Sequence, residues 1–459
     1  MFTMPKPSPI SFRTTRPEWL VQFGRRLLIA RGQAGLTQQA LGAPDLSKSF
    51  ISLLETGRSH PSVETVVSLA RRTRTSVATL LFDGGDLKRE TAMSLLHLAG
   101  RMDPVNDGEH VVQFIAIAEA LQPDMPPELA IRAALTKAHT TMLANRLDEA
   151  SRWTGAAASL AARHRLSSAE ARALAFKGMI AARRGAYAAA IPILEGAVEK
   201  MRRAKIARSE ECIWALLSLG AARFYLREHN GARRAYQRAL DLSTRVRVER
   251  LRGRALMGLG LAEWARKHLD PAVELLSQAY DVFERTEDLV EMSRTLNNLG
   301  AIRREQGLRD EALKVLERSL RMKGEINDTP GRSTTLDEIA LVQFEMHRYV
   351  DAARSARRAV ALGRAARDAA RVASAQATLG RILAAQQRRG PATTLLKTAA
   401  TAMRRLGLKE QASQTLAELD RVLKRDGAKT AAPRSSKKAV TPGSRVRPAP
   451  PAVEGLPLP

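Results

Sequence analysis

The sequence predicts an all-α protein in which a small N-terminal helical domain precedes a long array of helix pairs. Three observations carry that expectation. Ala, Leu, Arg and Glu dominate a 459-residue chain whose aromatics make up only 4%, a composition that favours helix over strand. Small residues recur at Ala138, Gly178, Gly220, Gly260, Gly300, Ala340 and Gly380, with steps of 40, 42, 40, 40, 40 and 40 residues, the mark of a repeat architecture. Residues 36–58, LTQQALGAPDLSKSFISLLETGR, read as two short helices joined by a tight turn.

Composition narrows the function classes. At 44% hydrophobic and 26% charged, the chain supports two or three domains with real cores. The one cysteine, Cys212, sits beside Ile213 and Trp214. It excludes an internal disulfide framework and a multi-cysteine metal site, and reads as a buried apolar thiol in a reducing compartment. No run approaches the roughly 20 apolar residues of a membrane span. The N-terminal MFTMPKPSPISFRTTRP has no apolar core of a secretory signal, so a cytoplasmic protein with no membrane partner is expected. The formal charge of +27 points to nucleic acid. Yet residues 17–87 hold eight Lys/Arg against six Asp/Glu, a net of +2, and most of the excess lies in the helical middle and the tail. For that middle, a solvated basic face is weighted above nucleic-acid attraction.

In chain order, residues 1–16 are Pro, Ser and Thr rich, an expected disordered arm carrying Lys6, Arg13 and Arg16. Residues 17–82 read as five helices. Phe23, Leu27 and Leu28 give the first an apolar stripe that ends near Gly32 to Gly35. Thr37 caps the second, which turns Leu41 inward, and GAPDL forms the turn. Ser47 caps the third; Ile51 and Leu54 face a core beside Phe50, and Gly57 stops the helix. Pro61 and Ser62 open the fourth over Val66, Leu69 and Ala70, and Ser76 caps a fifth carrying Val77, Leu80 and Leu81. DGGD at 83–86 is a hinge, and 83–127 hold that hinge with a degenerate helix pair.

From 128 to 425 the chain repeats about seven times. Twelve residues after each small marker come Ala150, Ala190, Ala232, Ala272, Ala312, Ala352 and Ala392. Seven further on come Ala157, Ala197, Ala239, Ala279, Ser319, Ala359 and Ala399. A fixed triple of small residues is needed where antiparallel helices pack closely. Asp270 and Pro271 are expected to cap and open one second helix. Residues 426–459 are basic, Pro/Ala rich and aperiodic, an expected disordered tail.

Arg31, LTQ at 36–38, SKSFIS at 47–52, Glu55, Gly57 and PS at 61–62 make the first domain resemble the lambda-repressor-like, Cro/C1-type (XRE) helix-turn-helix family. Gly42 stands where that family usually has Ala, and the turn APDL is one residue short. The repeats resemble tetratricopeptide units, with helices or loops lengthened beyond the usual period of roughly 34 residues.

The resemblance implies an N-terminal five-helix lambda-repressor-like DNA-binding domain followed by an α-solenoid. It implies that Ser47, Lys48, Ser49, Ser52 and Leu53 face base edges or phosphates of double-stranded DNA. Gln38 and Arg58 are implied phosphate contacts, and Arg31 with Glu55 a structural salt bridge. In the solenoid it implies that first helices line a groove for a peptide or protein ligand, placing there Phe224, Trp264, Arg304 and Phe344, four residues after a marker, and Asn297, three before. Aromatics at such positions also suit plain packing between pairs. The eight histidines show no metal spacing, and no phosphate-binding glycine loop occurs. No cofactor and no enzyme activity are expected. The reading is a sequence-specific DNA-binding transcriptional regulator, a homodimer, with a partner-binding repeat domain. The alternative is a tetratricopeptide interaction scaffold with a vestigial or non-specific DNA-binding domain.

Overall fold

The computed structural model describes residues 18–81, 85–100, 102 and 107–430, and every regular element among them is a helix. The expected arm and the tail from 431 onward lie outside the described residues, as do Asp83 and Gly84 of the hinge. The chain forms two compact units divided between Ala144 and Asn145.

The first unit opens with α1 (Glu18–Gln33), α2 (Gln38–Gly42), α3 (Lys48–Glu55), α4 (Val63–Arg72) and α5 (Val77–Leu81). The buried stripe of α1 runs through Leu20, Phe23, Leu27 and Ala30, at helical spacing. Leu28, expected inward, lies one step round the helix and is 45% exposed. Val77 is likewise exposed. Leu41, Ile51, Leu54, Val66, Leu69, Ala70 and Leu80 close one core with α1, and Phe50 packs at its edge. Hydroxyls start the helices as capping physics requires. Thr37 accepts from the Ala40 amide at 3.1 Å, Ser47 from Phe50 at 3.0 Å, Ser62 from Thr65 at 3.1 Å and Ser76 from Thr79 at 2.9 Å.

Two glycines let α1 lie on the end of α3. A Cβ at Gly24 would stand 2.3 Å from the Leu54 carbonyl oxygen. Gly57 adopts φ +62, where a Cβ would meet Val21 Cα at 2.9 Å. Its amide bonds Leu54 O at 3.0 Å while the Arg58 amide bonds Leu53 O at 2.8 Å, the left-handed closure that ends a helix cleanly.

Gly85 and Asp86, expected in the hinge, begin α6 (Gly85–Ala99), followed by α7 (Gly108–Leu121) and α8 (Pro127–Leu143). Ala92, Leu96, Ala99, Val111, Ile115, Ala118 and Ala133 form their shared core.

The second unit contains α9 (Leu147–Arg163), α10 (Ser167–Arg183), α11 (Tyr187–Arg203), α12 (Glu210–Tyr225), α13 (His229–Val246), α14 (Glu249–Ala265) and α15 (Leu269–Arg285). It continues with α16 (Leu289–Glu305), α17 (Arg309–Glu325), α18 (Thr329–Glu345), α19 (Tyr349–Ala365), α20 (Ala369–Ala385), α21 (Arg389–Arg405) and α22 (Lys409–Thr430). The last runs through residues 426–430, read from sequence as the start of the tail. Helices of 17 residues separated by three-residue turns produce the 40-residue pitch. The long period therefore comes from long helices, not long loops. The single step of 42 comes mainly from the longer turn at 204–209. Asp270 does not cap α15: it lies in the first turn and accepts from Gln306 Nε2 at 2.7 Å.

Each turn contains one left-handed residue, and only Gly185, Gly307 and Gly407 among them are glycine. Arg165, Arg227, Lys267, Asn327 and Arg367 are among the others. An L-residue held there costs roughly 1–2 kcal/mol, which the surrounding helix pairs impose.

The small markers sit where the paired helix inserts a large side chain sixteen positions on. A Cβ at Gly178 would meet Leu194 at 2.7 Å, at Gly260 Leu276 at 2.9 Å, at Gly300 Leu316 at 2.5 Å and at Gly380 Leu396 at 2.8 Å. At Gly220 the residue opposite is Tyr236. The marker is alanine at Ala340, and there position 356 is alanine too, both fully buried. Where the marker carries a Cβ, the residue opposite is small, as close packing demands.

Gly300→Ala is expected to destabilise the chain by about 1–3 kcal/mol through overpacking, and Leu316→Ala in the same chain to restore part of that loss, read by denaturant unfolding. Arg367→Gly should instead stabilise by about 1 kcal/mol, because glycine adopts the left-handed turn freely.

Candidate functional site

Two constellations stand out, one in each unit. In the first, Glu55 is 9% exposed and gathers three donors. Arg31 Nε lies 2.5 Å from Oε1 and Nη2 3.3 Å from Oε2, while Gln38 Nε2 donates to Oε2 at 2.7 Å. Arg31 Nη1 also donates to the Leu36 carbonyl at 2.9 Å. A carboxylate buried with a guanidinium fork and an amide ties α1, the start of α2 and the end of α3 into one frame. The helix-turn-helix turn has a second support that sequence reading missed. Arg72 Nη1 donates to the carbonyls of Leu41 and Gly42 at 2.9 and 2.8 Å, and its Nη2 to Asp45 at 2.7 Å. Arg26 does the same for α5, donating to Leu80 O at 2.9 Å and Leu81 O at 2.7 Å. Both satisfy carbonyls that a helix C-terminus leaves unpaired. A basic residue two or four helices away from a short helix was the only trace of this in the sequence.

With α3 so held, Ile51 and Leu54 point into the core while Ser47, Lys48, Ser49, Leu53 and Arg58 are exposed and Ser52 is half-buried. Leu53 is 41% exposed, an apolar group standing among polar ones. No acidic residue lies between Ser47 and Leu54. Gln38 is half-buried and bonded to Glu55.

In the second unit, the five groove candidates do not line one open surface. Phe224 and Phe344 are half-buried, but Trp264, Asn297 and Arg304 are 3%, 1% and 8% exposed. They belong to a polar layer between successive inner helices. Asn297 Oδ1 accepts from Thr335 Oγ1 at 2.8 Å, and the buried Lys323 Nζ donates to the same hydroxyl at 2.8 Å. Arg304 Nη1 donates to Glu345 at 2.9 Å, and its Nε lies 3.4 Å from Glu338. Asp337 Oδ2 accepts from Ser374 at 2.8 Å. Phe344 packs on Tyr349, with Arg381 5.7 Å above its ring, and Phe224 meets His229 edge-on at 5.4 Å.

The spacing of these bonds is regular. Asn297 to Thr335, Met257 to Thr295 and Tyr280 to Arg318 are 38 apart, and Asp337 to Ser374 and Thr334 to Arg371 are 37 apart. Each side chain thus meets the next pair two or three residues short of its own counterpart. Three polar atoms of the layer, Trp264 Nε1, Asn297 Nδ2 and Asp337 Oδ1, are buried without a hydrogen-bond partner. Burial pushes the Asp337 carboxyl up, against the pull of Thr378, Ser374, Arg381 and Arg304. Burial likewise outweighs Arg304 at Glu338 and raises it. Burial opposes charge on Arg304, but Glu338 and Glu345 more than offset it.

Cys212 is buried, and desolvation pushes its thiol up to about 11, so it is not a nucleophile at neutral pH. Among the described residues no three His, Cys, Asp or Glu side chains could hold a metal ion. No helix among them is long and apolar enough to cross a membrane.

A carboxyl raised in the folded state favours folding below its unfolded pKa and loses that contribution as pH rises through the folded value. Asp337→Asn keeps one side-chain oxygen to accept from Ser374 and removes the buried charge. It is expected to be more stable than the parent at pH 8, with the gap closing as pH falls toward 4, measured by thermal unfolding across that range.

Comparison with known proteins agrees with this architecture. Residues 22–81 match the helix-turn-helix domain model, and residues 213–285, 251–325 and 291–365 match the tetratricopeptide repeat model. A comparison with curated protein sequences gives no match. Among solved structures, a Rap protein complexed with competence and sporulation factor aligns at a TM-score of 0.51 and 15% identity, covering 75% of this chain and 98% of that one. The apo form of RapI aligns at 0.52 and 12%, covering 84% and 99%. The apo form of the quorum sensor NprR from B. thuringiensis aligns at 0.51 and 13%, covering 73% and 99%. These likenesses are of fold. The chain unites a Cro/C1-type helix-turn-helix domain with a solenoid of tetratricopeptide repeats.

Proposed function

We propose that the chain is a sequence-specific DNA-binding transcriptional regulator whose solenoid takes a peptide or protein partner. The observation that carries the first half is the outward face of α3. Lys48, Ser49 and Leu53 are exposed together on a helix whose other face is locked into the core. Lys48 donates to guanine acceptors, Ser49 pairs with several bases, and Leu53 packs on a thymine methyl. Ser47, Ser52 and Arg58 flank them as phosphate or base contacts. One such helix reads too few base pairs for genomic specificity, so the active species is a dimer.

The second half rests on the polar layer of the inner helices. Its unpartnered donors and acceptors, Trp264 Nε1, Asn297 Nδ2 and Asp337 Oδ1, suit the alternating N–H and C=O groups of an extended peptide. Their burial means that entry requires neighbouring pairs to part. A ligand that binds the parted form more tightly shifts the balance between two solenoid shapes. The Rap structure with its bound factor and the quorum sensor NprR lend support to a signalling partner. The protein acts by binding, in a reducing cytoplasmic setting, without a catalytic step.

Selection of duplexes from a randomised DNA pool at near-physiological salt tests the DNA half. An enriched two-fold motif is expected from the parent, and its loss is expected from a folded Lys48→Ala, Ser49→Ala chain. Unenriched sequence from both proteins would favour an interaction scaffold instead.

A further inference from the structure

The outer helices of the solenoid do not share the chain's positive charge evenly. α15 carries Asp270, Glu274, Asp281 and Glu284 against Arg285 alone. Two repeats on, α19 carries Arg354, Arg357, Arg358 and Arg364 against Asp351, and α21 carries Arg389, Lys397, Arg404 and Arg405 with no acidic residue. α13, with Arg233, Arg234, Arg238 and Arg245 against Asp241, is as basic as α19, but only α19 and α21 are strongly basic outer helices in adjacent repeats.

The cations also stand on one face. Ala352, Ala353, Ala356, Ala359 and Val360 bury the inner side of α19, and Ala392, Leu396, Ala399, Ala400 and Met403 that of α21. Arg357, Arg358, Arg364, Lys397, Arg404 and Arg405 are exposed. Asp351 pairs with Arg348 and Arg354, which leaves those six without a carboxylate partner among the described residues. The 40-residue pitch puts Arg357 and Lys397 at equivalent positions, and Arg364 and Arg404 likewise. Seven residues along a helix are about 10 Å, so each helix offers two charges at that spacing. Between the cations of α21 lie Thr394, Thr398 and Thr401, exposed hydroxyls bonded back to their own helix. Among the described residues, the exposed large apolar side chains here are Val350 at the start of α19 and Leu406 just past α21, one at each edge of the cationic face. Arg404 and Arg405 in a last helical turn also complement the helix dipole, but Lys397, Arg357 and Arg358 are mid-helix.

We propose that the outer face of α19 and α21 is a second DNA-binding surface that holds the duplex backbone without reading its sequence. Phosphodiesters are the polyanion of choice because the chain already meets duplex DNA through α3; only this choice rests on the regulator reading. Each phosphate neutralised contributes about 0.9 to the slope of log K against log salt.

The test is fluorescence anisotropy of a duplex of unrelated sequence with the full chain over a sodium chloride series. The variant combines Arg357→Gln, Arg364→Gln, Lys397→Gln and Arg404→Gln, all exposed. A charge-matched control combines Arg152→Gln, Arg163→Gln, Arg285→Gln and Arg321→Gln, also exposed and scattered over α9, α15 and α17. The expected result is a slope shallower by roughly 2–4 and at least tenfold weaker binding at low salt for the first set, with little change for the second. Equal losses from both sets would reduce the surface to diffuse net charge and overturn the proposal. So would an unchanged slope, or a loss confined to phosphatidylserine vesicles run in parallel. Repeating the series in the Lys48→Ala, Ser49→Ala chain separates the two ideas. A slope that still depends on α19 and α21 there supports this surface even where sequence reading by α3 has failed.

Discussion

Everything in the second unit depends on how closely two antiparallel helices can approach. At Gly178, Gly260, Gly300 and Gly380 a leucine of the paired helix fills the place where a Cβ would stand. At that separation helix length becomes the free variable, and 17 residues with a three-residue turn fix the pitch at 40. The turns follow from the pairs and not the reverse. Left-handed arginines, lysines and asparagines at the turns are unfavourable alone, and they persist because packing on both sides leaves the chain no other path. Matched alanines at 340 and 356 show that a Cβ at the marker is accommodated where the residue opposite is small.

Apolar packing of this kind repeats and so cannot by itself distinguish one repeat from its neighbour. The polar layer can. Bonds spanning 37 or 38 residues join Asn297 to Thr335 and Asp337 to Ser374, and each is made once. Arg304 between Glu338 and Glu345 is a poor source of stability, because desolvation consumes most of the attraction. A slipped register would leave those charges buried and unpaired, a penalty of about 3–5 kcal/mol. The layer therefore specifies which pair follows which. Its leftover donors and acceptors are the groups assigned to the proposed partner.

The repeat was visible in the sequence because close packing of helix on helix demands small residues at a fixed interval, and little else does. Core positions such as Ile51, Leu54, Leu69 and Leu80 were legible from 3.6-residue spacing, and the caps from their hydroxyls. Leu28 misled because α1 buries only one narrow stripe, through Leu20, Phe23, Leu27 and Ala30, and Leu20 lay ahead of the apparent one. The groove was least legible. Position relative to a marker identifies the inner helix but not whether a side chain stops at the surface or bridges to the next pair. Asn297 and Arg304 bridge, and the spacing that reveals it, two or three short of the pitch, emerges only when the helices are seen side by side. Arg26 and Arg72, which close the ends of α5 and α2, were silent because nothing local marks a long-range donor.

The first unit solves a related problem with one buried carboxylate. Gln38, which the family resemblance makes a phosphate contact, is bonded to Glu55 at 2.7 Å. The two roles are compatible, because a side-chain amide has two N–H donors and Glu55 takes one. The other is left for the phosphate oxygen of the proposed DNA complex. Arg31 supplies the counter-charge that a buried carboxylate needs, and through Leu36 O it fixes the chain just before α2. Glu55 itself ends α3. A single ion pair thus sets the angle between α2, which carries Gln38, and α3, which presents Lys48 and Ser49. The readout proposed for α3 requires that angle to be constant before DNA arrives.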